Sequence, residues 1–212
     1  MSKVAMIWGV SGGIGRAVAQ ELQTNGWTVI GIGRHPEDVA TFVSHTFAAD
    51  VAKEYDVQTA VRAASFEVDQ VDLWVYAAGD IETTAVADLD LTSWQRILDA
   101  NLTGPFLTTK HSLPLLADEA HLVYLGAVSE RLKLPKFSAY VAAKAGLEAF
   151  VAALQKELRG KKITLVRPGA VATPFWDKLP IRPPKDAAPP EKVAKRILAA
   201  YDEGHSGQLD LV

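Results

Sequence analysis

The stretch VAMIWGVSGGIGRAVAQELQTNG, residues 4–26, decides the fold that the sequence predicts. Its first part, Val4 to Gly9, is a short apolar run that ends among glycines, which is typical of a buried strand. Its second part predicts a helix over 15–25, because Val18 and Leu22 share one helical face and an Asn-Gly pair ends the pattern. A buried strand that turns through glycines into a helix is the beginning of a strand–helix–strand unit.

Strand and helix patterns alternate along the rest of the chain. Further strands are predicted at 28–33, 45–49, 71–77, 121–128, 162–167 and 206–212. Further helices are predicted at 52–65, 104–116 and 190–203. Two more helices are predicted with an N-cap residue, one that begins at Thr92 and one that runs from Ser138 to about 158. This alternation indicates right-handed crossovers and a mostly parallel sheet that is covered on both faces. The proline-rich segment at about 174–190 is followed by more helix and strand, so we interpret it as a flap within a single domain, residues 1–212.

Composition narrows the function classes. The chain has 212 residues, 49% of them hydrophobic, and a formal net charge of −3. It has no basic stripe for nucleic acid and no polybasic run for a membrane surface, and it contains no cysteine for a disulfide or a thiolate metal site. The five histidines lack metal-ligand spacing, so we expect no metal. The chain shows no signal peptide and no apolar stretch of about 20 residues, so we expect a cytoplasmic protein without membrane partners.

The glycine turn has a physical rationale as a phosphate site. Gly9, Gly13 and Gly15 allow a tight strand-to-helix turn, and the helix then presents free N–H groups and the positive end of its dipole. A pyrophosphate fits such a turn at the first strand–helix junction of an alternating chain. The alternative is a tight turn without a ligand.

Several motifs in order resemble those of one family, the short-chain dehydrogenase/reductases. They are the G-x-x-x-G-x-G turn, Asp50-Val51 after the third strand, YAAG at 76–79, Asn101, the Y-x-x-x-K pair Tyr140 and Lys144, and PGAVATP at 168–174. The resemblance covers nearly the whole chain. It implies an α/β fold, namely a single doubly wound Rossmann-like domain with a seven-stranded sheet of order 3-2-1-4-5-6-7 and helices on both faces.

The resemblance also implies a nicotinamide cofactor and a carbonyl or alcohol substrate. The implied cofactor contacts are Gly9, Ser11, Gly13, Ile14, Gly15, Arg34, Asp50, Val51, Ala77, Ala78, Gly79, Lys144, Pro168, Val171 and Thr173. In the family the tyrosine is the general acid or base, the lysine also binds the nicotinamide ribose, and the asparagine holds a water. Those roles fall on Tyr140, Lys144 and Asn101. A nearby ammonium is expected to lower the pKa of the phenol.

One expected group is missing. The family serine that binds the substrate oxygen commonly lies thirteen residues before the tyrosine, where this chain has Ala127. Ser129 follows two positions later, and a bulged loop would bring its hydroxyl to the same place; in an unchanged register it would not reach. Ser129 is therefore included as a candidate catalytic residue. The missing serine favours a rival function, an NADP(H)-binding regulatory or scaffold protein, whereas Tyr140, Lys144 and Asn101 together favour an enzyme.

The second strand predicts the cofactor preference. An acid near the end of that strand usually binds a ribose 2′-hydroxyl, and arginine accommodates a 2′-phosphate. Here Gly33 stands where the acid is expected and Arg34 follows it, so we expect NADP(H) in preference to NAD(H). The alternative is that Arg34 is a solvated surface charge.

The sequence leaves more than one alternative open for the substrate and for the assembly. Phe175 and Trp176 suit an apolar substrate, whereas Lys178 or Arg182 suits an anionic one. Trp8 and Tyr76 replace polar residues of the family motifs and are expected to pack together on adjacent strands. The apolar helices at 103–116 and 140–158 resemble those that pair family members into a homodimer or homotetramer, unless the same surface is intramolecular core. An isomerase or lyase with bound nicotinamide is a further alternative.

Overall fold

The computed structural model describes residues 2–211. Its strands are β1 (Val4–Trp8), β2 (Thr28–Gly33), β3 (His45–Ala48), β4 (Val71–Tyr76), β5 (Leu116–Leu125), β6 (Lys162–Pro168) and β7 (Gly207–Leu211). Its helices are α1 (Gly13–Thr24), α2 (Glu54–Ala64), α3 (Leu91–Leu98), α4 (Gly104–Ser112), α5 (Ser138–Glu157) and α6 (Pro190–Asp202). The strands form one sheet of order β3-β2-β1-β4-β5-β6-β7, and every neighbouring pair is parallel. The predicted fold class and strand order are confirmed.

Helices cover both faces of this sheet. On one face, Val57 of α2, Leu107 of α4 and Leu147 of α5 belong to a single buried cluster with the strand residues. On the other face, Val18 of α1 and Ile197 of α6 are buried in a second cluster. Because both faces are apolar, the strands read as continuous hydrophobic runs rather than as alternating patterns. All carboxyl ends of the parallel strands lie at one edge, which is where ligands bind in this architecture.

The fifth strand is longer than the sequence predicts and begins earlier. It begins at Leu116, which pairs with Val71, and the register with β4 shifts between Val71 and Leu73. The preceding helix α4 ends at Ser112, because Pro114 removes a backbone donor and leaves only a short 3₁₀ turn before the strand. Residues 117–119 of β5 are half-buried or exposed, so the continuous hydrophobic pattern begins only after the strand has started.

Both predicted N-caps are wrong. Asp90, not Thr92, caps α3, and its carboxylate accepts a hydrogen bond from the Ser93 N–H at 2.7 Å. Phe137 precedes the first residue of α5, so Ser138 lies inside the helix. The Ser138 hydroxyl is buried and has no hydrogen-bond partner among residues 2–211. An aspartate two residues before Thr92 is an equally good cap in sequence terms, and only the backbone conformation decides between them.

Trp8 and Tyr76 are partners in register on β1 and β4, as predicted, and both belong to the buried cluster of one sheet face. Although aromatic residues stand here in place of polar ones, one side-chain hydrogen bond is present. The Tyr76 hydroxyl donates to the Ala100 carbonyl at 2.7 Å. Burial raises the pKa of Tyr76 well above its ordinary value, and the charge of Asp50 adds to this effect. Tyr76 therefore remains a neutral phenol that ties β4 to the segment after α3.

Candidate active site

The glycine turn places the N-terminus of α1 beneath the end of the sheet. Gly9 has a φ of +84°, and a Cβ there would collide with the backbone of Ala78 after β4. A Cβ at Gly15 would collide with the Gly9 carbonyl. The N-cap Gly12 offers no side-chain cap, and the first turn of α1 has no acidic residue. The first N–H groups of α1 are therefore available to an anion.

A cavity of about 1300 Å³ extends from this turn across the carboxyl ends of the strands. It is bordered by all but one of the predicted cofactor contacts: Gly9, Ser11, Gly13, Ile14, Arg34, Asp50, Val51, Ala77, Ala78, Gly79, Lys144, Pro168, Val171 and Thr173. The exception is Gly15, which packs on the backbone of Gly9 and shapes the turn from behind. The predicted binding residues, from distant parts of the sequence, thus come together in one place.

Tyr140 and Lys144 lie one turn apart on α5 and border the same cavity, with 7% and 4% of their surface exposed. The Lys144 Nζ donates to the Leu125 carbonyl at the end of β5 at 2.8 Å and lies 5.7 Å from the centre of the Tyr140 ring. Burial lowers the pKa of Lys144 to about 8 and raises the pKa of Tyr140 above its ordinary value. The direction for Tyr140 is opposite to the expectation, because burial disfavours the phenolate.

Asn101 faces the cavity from a π-helical turn, Asp99–Thr103, between α3 and α4. Such single π turns interrupt helices frequently at functional sites. The Asn101 amide donates to the carbonyls of Asp80 at 2.7 Å and Ile97 at 2.9 Å, which fixes its orientation. Its Oδ1 atom is buried without a partner among the described residues, and a Cβ at Gly79 would lie 3.1 Å from it. The side chain therefore offers an acceptor toward the site.

The loop after β5 does not bring Ser129 to the cavity. Ala127 and Val128 border the cavity, whereas Ser129 begins a 3₁₀ turn, Ser129–Leu132, and is buried outside the lining. Of the two alternatives for Ser129, this placement favours the unchanged register, in which Ala127 rather than Ser129 borders the cavity. Tyr140, Lys144 and Asn101 converge on the cavity without Ser129.

The flap crosses the site as a 3₁₀ turn, Pro174–Lys178. The Phe175 ring lies 6.1 Å from the Tyr140 ring, centre to centre, and the Trp176 indole N–H donates to the Val171 carbonyl at 2.8 Å. The Lys178 Nζ donates to the Asp80 carboxylate at 2.6 Å. The flap is thus anchored by two side chains that follow Phe175 in the chain.

Asp80, which the sequence analysis missed, is the largely buried partner of two cations. Besides Lys178 it pairs with Arg96 of α3, which also pairs with Glu82. Burial opposes the ionisation of Asp80, but the Lys178 hydrogen bond and charge, the Ile81 N–H and the charge of Arg96 together lower its pKa. The only signal in the sequence is an acid that directly follows the YAAG turn.

Arg34 and His35 border the opposite end of the cavity, beyond β2, and both are exposed. No carboxylate of the described residues pairs with Arg34 within salt-bridge distance, whereas His35 lies 3.4 Å from Glu37. A Cβ at Gly33 would lie 3.5 Å from the Ser11 hydroxyl. This end therefore presents the Arg34 guanidinium and the Ser11 hydroxyl, and position 33 at the end of β2 carries no acid.

Two negative findings apply to residues 2–211. They contain no group of three or more His, Cys, Asp or Glu side chains that would hold a metal ion. None of their helices combines the length and the apolar character that crossing a bilayer requires.

Known proteins resemble this chain in sequence and in fold. The family model described as short chain dehydrogenase matches residues 3–182. A 3-oxoacyl-[acyl-carrier-protein] reductase from Synechocystis is 31% identical, over 99% of this chain and 96% of that protein. An alcohol dehydrogenase from Thermococcus sibiricus, solved with 5-hydroxy-NADP, superposes with a TM-score of 0.91 at 24% identity, over 100% of this chain and 96% of the other.

A second solved structure carries the other form of nicotinamide dinucleotide. It is a 3-ketoacyl-(acyl-carrier-protein) reductase from Brucella melitensis in complex with NADH, with a TM-score of 0.86 at 23% identity, over 98% of this chain and 96% of that chain. The family match covers most of the chain, and the Synechocystis relative matches over nearly its full length. The chain is therefore a member of the short-chain dehydrogenase family of oxidoreductases.

Proposed function

We propose that this protein is an NADP(H)-dependent oxidoreductase that transfers a hydride between the nicotinamide and a carbonyl or alcohol carbon. The observation that carries the proposal is the convergence of Tyr140, Lys144 and Asn101 on the cavity that the glycine turn opens into. The bound nicotinamide would supply the hydride chemistry. The residues present fit such a cofactor, because glycines let the turn pack tightly against the backbone of Ala78 and the uncapped N–H groups of α1 suit a pyrophosphate.

Tyr140 is the proposed proton donor in the direction of reduction. Its raised pKa keeps the phenol protonated at neutral pH, and a buried O–H directed at the substrate oxygen stabilises the negative charge that develops there. In the direction of oxidation the same group accepts the proton. Lys144, with its pKa lowered to about 8, is the proposed ribose ligand and the charge that stabilises a transient phenolate. The unpartnered Oδ1 atom of Asn101 is the proposed acceptor for a water in the proton path.

The proposed machinery excludes Ser129. Without a hydroxyl at position 127, the substrate oxygen has one fewer donor, and loss of one such donor costs about 10²–10³ in rate in other enzymes. This deficit is also the observation that favours the rival function, a protein that binds NADP(H) for regulation or as a scaffold. The two functions differ in whether Tyr140 turns over a substrate.

We propose NADP(H) rather than NAD(H) because Arg34 is free of carboxylate partners among the described residues and Gly33 adds no repulsive charge to a 2′-phosphate. Calorimetry with both reduced cofactors tests this preference. We expect NADPH to bind at least about tenfold more tightly, and Arg34→Ala to remove the difference. Equal or tighter binding of NADH by the wild type would contradict the preference.

Absorbance of NADPH during incubation with ketones, aldehydes and quinones tests the enzyme proposal. We expect Tyr140→Phe to lower kcat by about 10²–10⁴ while the NADPH dissociation constant stays within about twofold. Turnover that survives in Tyr140→Phe would overturn the role of Tyr140. Tight NADPH binding with no turnover of any compound would favour the rival function.

We also propose a cytoplasmic homodimer or homotetramer. Ala142, Ala145 and Ala149 are exposed along the outer side of α5, and Phe106 is exposed on α4, so these helices present small and apolar residues to solvent. Sedimentation equilibrium tests the assembly, and a monomer at micromolar concentration would contradict it. Fractionation of the source cells tests the location.

A further inference from the structure

Three exposed aliphatic side chains border the same cavity although they come from separate segments. They are Leu91 at the start of α3, Leu134 in the loop before α5 and Ile181 in the flap, which are 78%, 54% and 52% exposed. Single exposed leucines are normal on a protein surface. Three such residues that border one cavity give it exposed apolar surface, which is a feature of ligand sites. We call these three residues the apolar lip.

An apolar wall leads from the lip toward Tyr140. Phe175 packs against the Tyr140 ring, and Leu132, Phe137 and Leu179 pack on the same buried cluster as Tyr140 while they border the cavity. A substrate with its reacting oxygen at Tyr140 would therefore extend along carbon atoms rather than along hydrogen-bonding groups.

Two of the cations that border the cavity near the flap are already paired with carboxylates. Lys178 and Arg96 both bind Asp80, and Arg96 also binds Glu82. Arg182, the other cation considered for an anionic substrate, is exposed and lies outside the lining of the cavity. Both Phe175 and Lys178 of the flap border the cavity, but the Lys178 Nζ atom is already paired with Asp80.

Arg131 also borders the cavity, but its charge is near a carboxylate of the outer strand. The Arg167 hydrogen bond is the largest cause of the lowered pKa of Asp210 on β7, and the charge of Arg131 adds to it. No carboxylate of residues 2–211 lies within salt-bridge distance of Arg131, and Asp210 itself is already paired with Arg167.

We propose that the substrate is a carbonyl or alcohol compound without a charge whose reacting carbon carries an extended apolar group, and that Leu91, Leu134 and Ile181 hold the far end of that group. This inference rests on the proposed function for the chemistry at Tyr140, but the binding preference is a property of the lip itself. Burial of each additional methylene of the substrate would raise affinity and kcat/KM by about two- to fourfold until the lip is covered.

Methyl ketones with butyl, hexyl and octyl chains test this inference, together with keto acids that end the same chains in a carboxylate. We would measure kcat/KM, and also the dissociation constant by calorimetry in the presence of NADPH, which needs no turnover. We expect both to improve along the ketone series and the keto acids to bind more weakly. Affinity that is flat along the series, or keto acids that bind more tightly than ketones, would overturn the proposal.

Variants of the lip provide the matched comparison. Leu134→Ser and Ile181→Ser are expected to lower kcat/KM and affinity for the octyl ketone by about three- to tenfold and to leave the butyl ketone nearly unchanged. Leu134→Met, which keeps an apolar side chain, should retain the chain-length dependence. Val86→Ser is the control, since Val86 is 74% exposed but does not border the cavity. An equal loss in Val86→Ser would overturn the role of the lip, and thermal unfolding would verify that each variant is folded.

The two proposals fail in different ways. Chain-length-dependent binding without turnover of any ketone would support the lip and overturn the oxidoreductase chemistry for these carbonyls. Turnover that does not depend on the chain length of the ketone would support the oxidoreductase function and contradict the proposed role of the apolar lip.

Discussion

Ala127 stands where the resemblance to the short-chain dehydrogenases implies a serine. Its methyl group borders the cavity next to the end of β5, while the Ser129 hydroxyl lies outside the lining. The site therefore has a proton donor, a cation and an amide acceptor, but no hydroxyl from this loop to share the charge on the substrate oxygen. If the protein is the enzyme proposed above, we expect this arrangement to make it slower than a site with that hydroxyl.

Restoring the hydroxyl should increase the rate. We expect Ala127→Ser to raise kcat by about three- to thirtyfold, less than the full effect of losing such a donor, because the surrounding groups are not built around it. Ser129→Ala is the matched control and should leave kcat within about twofold of the wild type. Steady-state kinetics with the best ketone measures both. A large loss in Ser129→Ala would mean that this hydroxyl reaches the substrate after all.

Lys144 makes stability depend on pH. Its pKa of about 8 in the folded state lies below the ordinary value of 10.5, so between these values the unfolded chain binds more protons than the folded one. Stability should therefore rise with pH from about 8 to 10, by at most about 1.4 kcal/mol per pH unit. Above pH ~10 the raised pKa of Tyr140 acts in the opposite direction, since the unfolded phenol then loses its proton first.

Urea unfolding of the wild type and Lys144→Met at pH 8 and pH 9.5 measures this effect. We expect the stability of the wild type relative to the variant to increase with pH, because methionine keeps the apolar stem and removes the titrating group. A difference that is independent of pH would show that burial does not perturb Lys144.

At the scale of elements, the flap is coupled to α3 and to the turn after β4 through a single carboxylate. Asp80 binds Lys178 of the flap and Arg96 of α3 with its side chain, and its carbonyl accepts from Asn101. Asp80 thus contributes both to the position of the flap and to the orientation of Asn101. The largely buried carboxylate strengthens these pairs, because its surroundings screen charge less than bulk water does.

Removing the lysine should release the flap. We expect Lys178→Met to raise KM by about three- to tenfold, with a smaller change in kcat, and to increase proteolysis within the flap, because Arg96 still neutralises Asp80. Lys185→Met is the control, since Lys185 is an exposed flap lysine without a salt bridge to the described residues. Each variant removes a lysine after which trypsin cleaves, so trypsin digestion would change whether or not the flap is released. Thermolysin, which does not cleave after lysine, is therefore the protease to use. Equal proteolysis of both variants would contradict the coupling.

At the scale of the whole molecule, a buried arginine forms ion pairs with the edge strand β7. Arg167 of β6 donates two hydrogen bonds of 2.8 Å to Asp210 of β7 and contacts Glu130 at 3.1 Å. This network is a main polar link between β7 and the interior of the sheet. The Arg167 hydrogen bond is also the largest cause that lowers the pKa of Asp210, against the opposing effect of its burial.

We expect Arg167→Met to lower the free energy of unfolding at pH 7 by about 1–3 kcal/mol. This loss is smaller than for a fully buried ion pair, because Asp210 and Glu130 are partly exposed and regain contact with water. The pKa of Asp210 is depressed in the folded state, so its contribution is present above the ordinary value and is lost as the pH falls. Urea unfolding at pH 7 and pH 3 should therefore show a smaller difference between wild type and variant in acid. An unchanged difference would contradict the role of the pair.

The fold and most of the candidate binding residues were predictable, because their signals are local. Gly9 and Gly13 lie within one turn, and Tyr140 and Lys144 lie within one helix, so short spacings carry their geometry. The Asp80–Lys178 pair joins residues 98 positions apart, and no local pattern encodes it. The position of Ser129 depends on a 3₁₀ turn that counting residues does not reveal. The roles of these residues in catalysis stay predictions.

The position of β1 in the sheet has a consequence for how the chain folds as it leaves the ribosome. One edge of β1 pairs with β2, only about twenty residues away, but its other edge pairs with β4, which begins at Val71. Until that segment has been synthesised, the most apolar strand of the nascent chain keeps an open edge. Parallel pairing over such a distance is slow, so we expect the contact between the glycine turn and Ala78 to form only after β4 has been synthesised. We therefore expect a partly synthesised chain to expose an apolar strand edge of the kind that promotes aggregation.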